Sequence, residues 1–198
     1  MSTYFNHPNI TIDLFRDMWL TSVSFNVLTA EWDPSDLSST ATLTIHQENF
    51  SSVHQSLRYH QITVTFFKND GTTFSQPVLV KAQSDTQIVY DGSQNFVAVL
   101  LNSANESFVK CRIDTNSMVF FTNGSLSLVS SAETIMMVWF QLNEMVRDRL
   151  IRVDAYKDIV LSQMTNENND MIYQMVFRFL ESASSNFVPA SKSEVMRE

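Results

Sequence analysis

The side chains most able to do chemistry are four histidines and one cysteine in a chain of 198 residues. Catalytic zinc in a hydrolase needs two imidazoles one helical turn apart, a distal carboxylate ligand and a glutamate that activates the metal-bound water. His7 precedes a proline, and the other three, His46, His54 and His60, each precede a glutamine. The sequence contains no HExxH motif, so we predict no catalytic residues, no metal site, no cofactor and no enzymatic activity for the chain as it stands.

Two weaker possibilities for chemistry are also disfavoured. His54 and His60 lie around a strand start with no cysteine or cluster of carboxylates nearby, so we expect surface histidines rather than metal ligands. Cys111 lies within a strand, where a buried, inert thiol is the commoner arrangement. No glycine-rich or strained turn presents this thiol as a nucleophile. A lone cysteine excludes an internal disulfide, which is typical of a reducing compartment.

Charge and hydropathy narrow the choice of partners. The net charge of −8 disfavours nucleic acid and anionic membranes, because both bind basic surfaces. No apolar run approaches the ~18 residues of a membrane span, so we expect no membrane insertion. Residues 1–8 lack the basic and apolar regions of a signal peptide. We therefore predict an intracellular location, either cytoplasmic or organellar.

Hydrophobic residues recur with a period of two over the first half of the chain. Residues 41–46 alternate apolar and polar side chains, and residues 62–66 repeat the pattern. Asn69-Asp70-Gly71 predicts a hairpin, since Asp-Gly suits the positive φ of a primed turn. Further strands are predicted near residues 25–32, 74–82, 86–90, 96–101 and 108–113, the last two as a hairpin pair. About seven strands favour an antiparallel β-sandwich of seven to eight strands.

The period then changes to about 3.6, which is typical of helices. One apolar stripe consists of Ile135, Val138, Trp139, Leu142 and Met145. Ser130 followed by Glu133 predicts a capping box at the start of this helix. Arg147 and Arg149 are expected in its last turn, where cations meet the negative end of the helix dipole. Other helices are predicted at residues 11–20, 154–164 and 172–180.

The predicted fold class is therefore β + α, a β-sandwich followed by about three antiparallel α-helices. The expected divisions are an N-terminal helix and junction over residues 1–23, a β-sandwich domain over 24–128, a truncated helical domain over 129–183 and a tail over 184–198. Helical periodicity is lost from residue 182 onward.

Two helices carry more apolar surface than one core-facing stripe requires. Met136, Met137 and Phe140 form the extra face of the first long helix, and Tyr173, Phe177 and Leu180 that of the last. Exposing both faces would exceed the apolar patch of roughly 300–600 Å² that soluble monomers tolerate. We therefore expect these six residues to face a protein partner or a larger complex. The charged residues Arg147, Asp148, Arg149, Arg152 and Asp154 are expected to form solvated caps and local ion pairs.

Several phrases, taken in order, resemble the C-terminal part of the aminopeptidase N family of HExxH zinc aminopeptidases. They are Trp19-Leu20-Thr21, Asn26-Val27-Leu28, Leu100-Leu101-Asn102, Lys110 and Arg112 before Asp114, Trp139, Glu144-Met145-Val146-Arg147-Asp148 and Asp154-Ala155-Tyr156. The likeness covers roughly residues 14–165. One departure is Ser24, where the family usually has glycine in a tight turn that needs a positive φ.

This resemblance implies the last helix before a small β-sandwich, the sandwich itself and the start of a large helical domain. The family's zinc motif and its Gly-Ala-Met-Glu-Asn substrate-amine motif are both missing. The leading hypothesis is a non-catalytic structural or inter-domain module, acting as a subunit or fragment of a larger assembly. The alternative is part of an active zinc aminopeptidase whose catalytic domain lies on another chain or outside this sequence. A third reading is a free-standing sandwich that binds a protein at an edge strand.

Overall fold

A computed structural model describes residues 11–53, 56–165 and 167–187, and this part of the chain is mixed α/β, with seven strands and five helices. The strands are β1 (Asn26–Trp32), β2 (Ala41–Asn49), β3 (His60–Phe67), β4 (Thr73–Val80), β5 (Asp85–Tyr90), β6 (Ala98–Leu101) and β7 (Lys110–Arg112). The helices are α1 (Ile12–Trp19), α2 (Thr115–Thr122), α3 (Ala132–Arg147), α4 (Val153–Met164) and α5 (Asp170–Phe187). No helix in these ranges is long and apolar enough to cross a membrane.

The strands form two sheets, with the orders β5-β2-β1-β7 and β4-β3-β6. Buried residues from all seven strands meet between the sheets in one cluster, which we call the two-sheet core. The predicted alternation is present in β2, where Ala41, Leu43 and Ile45 are fully buried while Thr42 is exposed. Strand pairing is not entirely antiparallel as predicted, because β7 runs parallel to β1, with Leu28 opposite Cys111.

The predicted hairpin between the last two strands is wrong. β6 pairs with β3, whereas β7 pairs with β1 in the other sheet. All four residues of β6 are buried, because the strand has a core on each face. Val99 and Leu101 belong to the two-sheet core, while Ala98 and Leu100 pack among the helices. Because β7 belongs to the other sheet, the chain leaves the smaller sheet after β6. It does so through Asn102 and Asn105, which have φ values of 53° and 52°.

The hairpin predicted at Asn69-Asp70-Gly71 is present between β3 and β4. Of the central residues only Gly71 has a positive φ, of 81°, so the turn is not the primed type expected from the sequence. The Gly71 N–H donates to the Lys68 carbonyl, and the Lys68 N–H donates to the Thr72 carbonyl. A Cβ on Gly71 would lie 2.2 Å from the Leu128 carbonyl oxygen, so the turn also touches the segment that leads into α3.

The helices bury a second cluster, the helical core, made mostly of residues from α2–α5. Phe67 of β3, two residues of β6, and Ile113, Leu126 and Val129 from connecting segments complete it. The five stripe residues predicted for α3 are all buried. The expected number of about three helices is too low, because α2 was missed. Its apolar side chains are spread around the helix rather than gathered on one face, so the sequence shows no helical stripe there. The Asp114 carboxylate accepts hydrogen bonds from the N–H groups of Asn116 and Ser117 and caps the helix.

Three details of the helix ends differ from prediction. Ser131 rather than Ser130 caps α3, and its hydroxyl accepts a hydrogen bond from the Thr134 N–H. Arg149 lies beyond the last turn with a φ of 62°, where its N–H donates to the Val146 carbonyl. α5 continues to Phe187, so residues 182–187 are helical and the tail does not begin before them. Residues 1–10 and 188–198 of the predicted terminal segments lie outside the described residues.

The junction between α1 and β1 is held by one buried arginine. The side chain of Arg58 donates to the Met18 carbonyl at 2.7 Å and to the Ser22 hydroxyl at 2.9 Å, and its guanidinium lies 5.1 Å from the centre of the Trp19 ring. Ser24 adopts a φ of 78°, so the chain makes a turn with a positive φ at this position without a glycine.

Two neighbouring residues of α3, one buried and one exposed, test how the helix packs on the helical core. Trp139 is fully buried and 6.2 Å from the Tyr156 ring, whereas Phe140 is 42% exposed and touches Phe179. We expect Trp139→Ala to lower the free energy of unfolding by about 3–5 kcal/mol and Phe140→Ala by less than about half of that. Urea denaturation of both variants measures the difference. Equal losses would show that the two faces of α3 are assigned wrongly.

Candidate functional site in the cleft between β7 and α3

A cleft of about 770 Å³ lies where β7 approaches α3, within the size range of ordinary ligand pockets. Its lining consists of Phe25, Phe50, Asn102, Asn105, Phe108, Val109, Lys110, Cys111, Met137, Phe140, Gln141, Glu144, Arg147, Asp148 and Phe187. The cleft therefore combines five phenylalanines from separate segments with charged side chains from one strand and one helix.

The aromatic side chains form one continuous surface in part of the cleft. The rings of Phe25 and Phe50 stack with their centres 4.5 Å apart, and Phe108 meets Phe25 edge-on at 6.3 Å. Four of the five phenylalanines are exposed, by 49% for Phe50, 75% for Phe108, 42% for Phe140 and 43% for Phe187. So many exposed aromatic residues in one place are typical of an interaction surface.

A compact ion cluster joins the strand side of the cleft to the helix side. Lys110 Nζ lies 2.9 Å from Glu144 Oε2 and 2.7 Å from Asp148 Oδ1, and the Lys110 and Asp148 side chains are only 9% and 10% exposed. Arg112 reaches Asp148 at 3.5 Å and Glu48 at 2.7 Å. The Lys110 ammonium also lies 4.8 Å from the centre of the Phe50 ring. Each charge has an opposite neighbour, so the cluster holds the two sides together.

The spacing of charged side chains along β7 matches that along α3, which explains why these side chains meet. Lys110 and Arg112 are two residues apart on β7 and share one face, at a spacing of about 6.6 Å. Glu144 and Asp148 are one turn apart on α3, at a spacing of about 6 Å. Two cations on the strand therefore face two carboxylates on the helix. This agreement of spacings was the signal in the sequence that could have located the cluster.

The ion cluster changes the interpretation of the charged residues that end α3. Arg147 pairs with Glu144 and Arg152 pairs with Asp154 at exposed positions, so these local ion pairs are as expected. Asp148 differs, since it is nearly buried and reaches back to β7. The expectation of a solvated Asp148 is wrong, because it considered only neighbours along the chain, whereas the partner Lys110 lies 38 residues earlier.

The six residues predicted to face a partner lie in different places. Met136, Met137, Phe177 and Leu180 are partly buried against the helical core, so the chain itself covers part of each. Phe140 and Tyr173 are exposed, although Phe140 contacts Phe179 and Tyr173 contacts Phe177. Of the six, the cleft brings together Met137 and Phe140. Sequence reasoning missed Phe50, Phe108 and Phe187, which it treated as parts of strands, loops or tail.

Neither of the two histidines in the described part of the chain, His46 and His60, lines the cleft. His60 is buried rather than on the surface as predicted, with Nε2 3.1 Å from Asn26 Oδ1. Burial and the charge of Arg58 lower the pKa of His60 to about 4. His7 and His54 lie outside the described residues, and within residues 11–53, 56–165 and 167–187 no group of three or more potential ligands could hold a metal ion. Cys111 is buried as predicted, and burial raises the pKa of its thiol to about 12.

No model of a known protein family matches the chain, and no curated protein is significantly similar to it.

His46 joins three strands on the outer face of the larger sheet. Its Nε2 lies 2.6 Å from Glu31 Oε2 on β1, and its Nδ1 lies 2.6 Å from Asp85 Oδ1 on β5. Both nitrogens donate at once only when the ring is protonated. The hydrogen bonds with Glu31 and Asp85 accordingly raise the pKa of His46 above its ordinary value of 6.5.

Replacing the buried Asp148 tests the ion cluster. We expect Asp148→Leu to lower the free energy of unfolding by about 3 kcal/mol, because Lys110 and Arg112 lose a nearly buried partner. The double variant Lys110→Met/Asp148→Leu should recover much of this loss, because no buried ammonium is left behind. Urea denaturation of the two single variants and the double variant measures the coupling.

An exposed ion pair at the start of α4 supplies the control for this cycle. Arg152 and Asp154 have side chains that are 84% and 53% exposed, so Arg152→Met should cost less than about 1 kcal/mol. A loss from Asp148→Leu as small as that from Arg152→Met would show that the cluster does not hold the strand to the helix.

The two hydrogen bonds of the His46 ring make a pH-dependent contribution to stability. Because its pKa is raised on folding, this contribution is fully present below about pH 6.5 and is lost as the pH rises through the folded-state pKa. We expect wild type to unfold at a higher temperature than His46→Gln at about pH 5.5, with the difference shrinking towards about pH 9. Thermal unfolding across this range measures it, with Thr42→Ser on the same strand as control. A difference that grows with pH would contradict the assigned hydrogen bonds.

Proposed function

We propose that this chain is a non-catalytic structural or inter-domain module, resembling the C-terminal region of an aminopeptidase N-like protein and acting within a larger assembly. In this proposal the two sheets correspond to the family's small β-sandwich, and α2–α5 correspond to the start of its helical domain. The module keeps the parts on either side of it in a fixed relative position.

The joint between β7 and α3 carries the proposal. Lys110, Glu144 and Asp148 form a nearly buried ion cluster, and Gln141 Nε2 donates to the Leu101 carbonyl at 2.7 Å a short distance away. The charged groups at this joint pair with one another, so their chemistry favours rigid support over acid–base catalysis. Three of the phrases that carry the family resemblance supply residues to this joint or to the cleft beside it: Leu100-Leu101-Asn102, Lys110 with Arg112, and Glu144–Asp148.

The junction between α1 and β1 supports the same proposal. α1 is followed by a turn with a positive φ at Ser24, which is what the resemblance implies for the helix that precedes the sandwich. Arg58 fastens this helix and turn to the sheets through carbonyl and hydroxyl groups of residues 18–23. A spacer between domains needs such a fixed junction.

The alternative is a part of a working zinc aminopeptidase whose catalytic domain lies on another chain or outside this sequence. The same joint would then support a catalytic domain. An open reading frame that encodes HExxH immediately upstream would favour this alternative over the non-catalytic assembly.

Metal content and activity of the purified chain test the proposal. The chain should hold far less than one zinc per molecule by elemental analysis and should not hydrolyse fluorogenic aminoacyl substrates, because it carries no HExxH motif. An active zinc aminopeptidase assayed in parallel is the control. Stoichiometric zinc together with chelator-sensitive turnover would overturn the non-catalytic assignment.

The size of the native species tests the second half of the proposal. In a native extract the chain should migrate well above its own 22.7 kDa because it is part of an assembly. Migration as a soluble species of about 22.7 kDa would overturn the assembly.

A further inference from the structure

The cleft follows the outer edge of β7. This strand ends its sheet, since the order is β5-β2-β1-β7. Lys110 and Cys111 point to opposite faces of the sheet, with Lys110 towards α3 and Cys111 in the two-sheet core. Both nevertheless line the cleft, together with Val109. Only a cleft that runs along the strand edge reaches neighbouring residues on both faces.

The backbone along this edge is available for hydrogen bonding. An edge strand presents N–H and C=O groups that its sheet does not pair. Among the described residues, no hydrogen bond outside the ladder with β1 involves the backbone of Lys110, Cys111 or Arg112. Strand β6 differs, because Ser117 accepts a hydrogen bond from the Val99 N–H and Gln141 donates to the Leu101 carbonyl. The fold thus covers the edge of β6 with side chains and leaves β7 open.

The exposure of the aromatic rings indicates the size of the occupant. A pocket for a small molecule buries most of its ligand and keeps its own walls covered. Here Phe108 at the rim is 75% exposed, and Phe50 is about half exposed. A partner that brings its own surface over the rim is therefore a better fit than a small molecule.

The charges of the cleft indicate the chemistry of the occupant. Lys110 and Arg147 are balanced by Glu144 and Asp148, and each of these four groups already has an oppositely charged neighbour within the chain. A charged side chain entering the cleft would lose water without gaining a free counter-charge. Electrostatic complementarity therefore favours an uncharged, apolar stretch.

We propose that the open edge of β7 binds an extended, uncharged peptide segment of another protein as an additional strand. Backbone hydrogen bonds to β7 would supply affinity, and apolar side chains at alternate positions would pack among Phe50, Phe108, Phe140 and Phe187. This inference rests on the proposed function, because it names the class of partner and the surface that the proposed assembly uses.

Selection from a phage library of random dodecapeptides against the full chain tests this binding mode. Enriched peptides should carry apolar residues at alternate positions with no charge between them, because alternate side chains of an added strand face the cleft. A synthetic peptide of the enriched sequence should bind Phe108→Ser at least about tenfold more weakly than wild type, and methylation of alternate backbone amides should weaken binding by a similar factor.

Val89→Ser is the matched control for Phe108→Ser. Val89 is 61% exposed on the edge strand β5 at the other end of the same sheet, so its replacement should leave binding unchanged. Failure to enrich any peptide, or binding insensitive to Phe108→Ser, would overturn the proposal. Binding insensitive to backbone methylation would also overturn it, because the occupant would not be a strand. A dimer of the purified chain that Phe108→Ser dissociates would identify the occupant as a second copy instead.

Native size separates this proposal from the proposed function. If wild type and Phe108→Ser both migrate in a large complex, the β7 edge is not the partner surface, while the assembly itself stands. If wild type migrates alone at 22.7 kDa, the assembly fails whatever the peptide selection shows. Loss of the complex in Phe108→Ser but not in Val89→Ser supports both.

Discussion

Strand β6 is the constraint on which the rest of the structure depends, because it belongs to two cores at once. Its alternate residues point to opposite sides, with Val99 and Leu101 between the sheets and Ala98 and Leu100 among the helices. A four-residue strand buried on both faces cannot move relative to either core without exposing apolar surface. The helices are therefore packed directly onto the smaller sheet, and no flexible linker separates the two units there.

The position of α3 follows from this arrangement. The helix contributes Gln141 to the edge of β6, and its last turn extends to β7 in the other sheet, where Asp148 meets Lys110 and Arg112. One helix thus spans the edges of both sheets. The cleft lies where α3 contacts these two edges through polar side chains, with Phe108 and Phe50 in its lining.

How much could be predicted from sequence depended on the range of the interactions. Alternation over residues 41–46 and the stripe around Trp139 report local periodicity, and both were predicted correctly. Parallel pairing of β7 with β1 joins residues more than 80 positions apart, and no local pattern encodes it. The burial of His60 was missed for a similar reason, because it depends on Asn26, Arg58 and Trp19 converging. The sequence shows each phenylalanine of the cleft, but only the fold shows that they lie together.

Backbone strain is concentrated around the same joint. Ser24 precedes β1, Asn102 and Asn105 follow β6, and Arg149 follows α3, and all four have a positive φ. Asparagine tolerates this conformation, whereas serine and arginine adopt it at a cost that the surrounding contacts must offset. At Ser24 the neighbouring Ser22 and Val23 carbonyls are bound by Arg58, and at Arg149 backbone hydrogen bonds from Arg149 and Leu150 close the end of α3. These bonds fix the chain where it enters β1 and where it leaves α3. The elements that frame the cleft thereby offset the strain at both positions. A partner that binds along β7 would therefore meet an edge whose position is already determined by the fold.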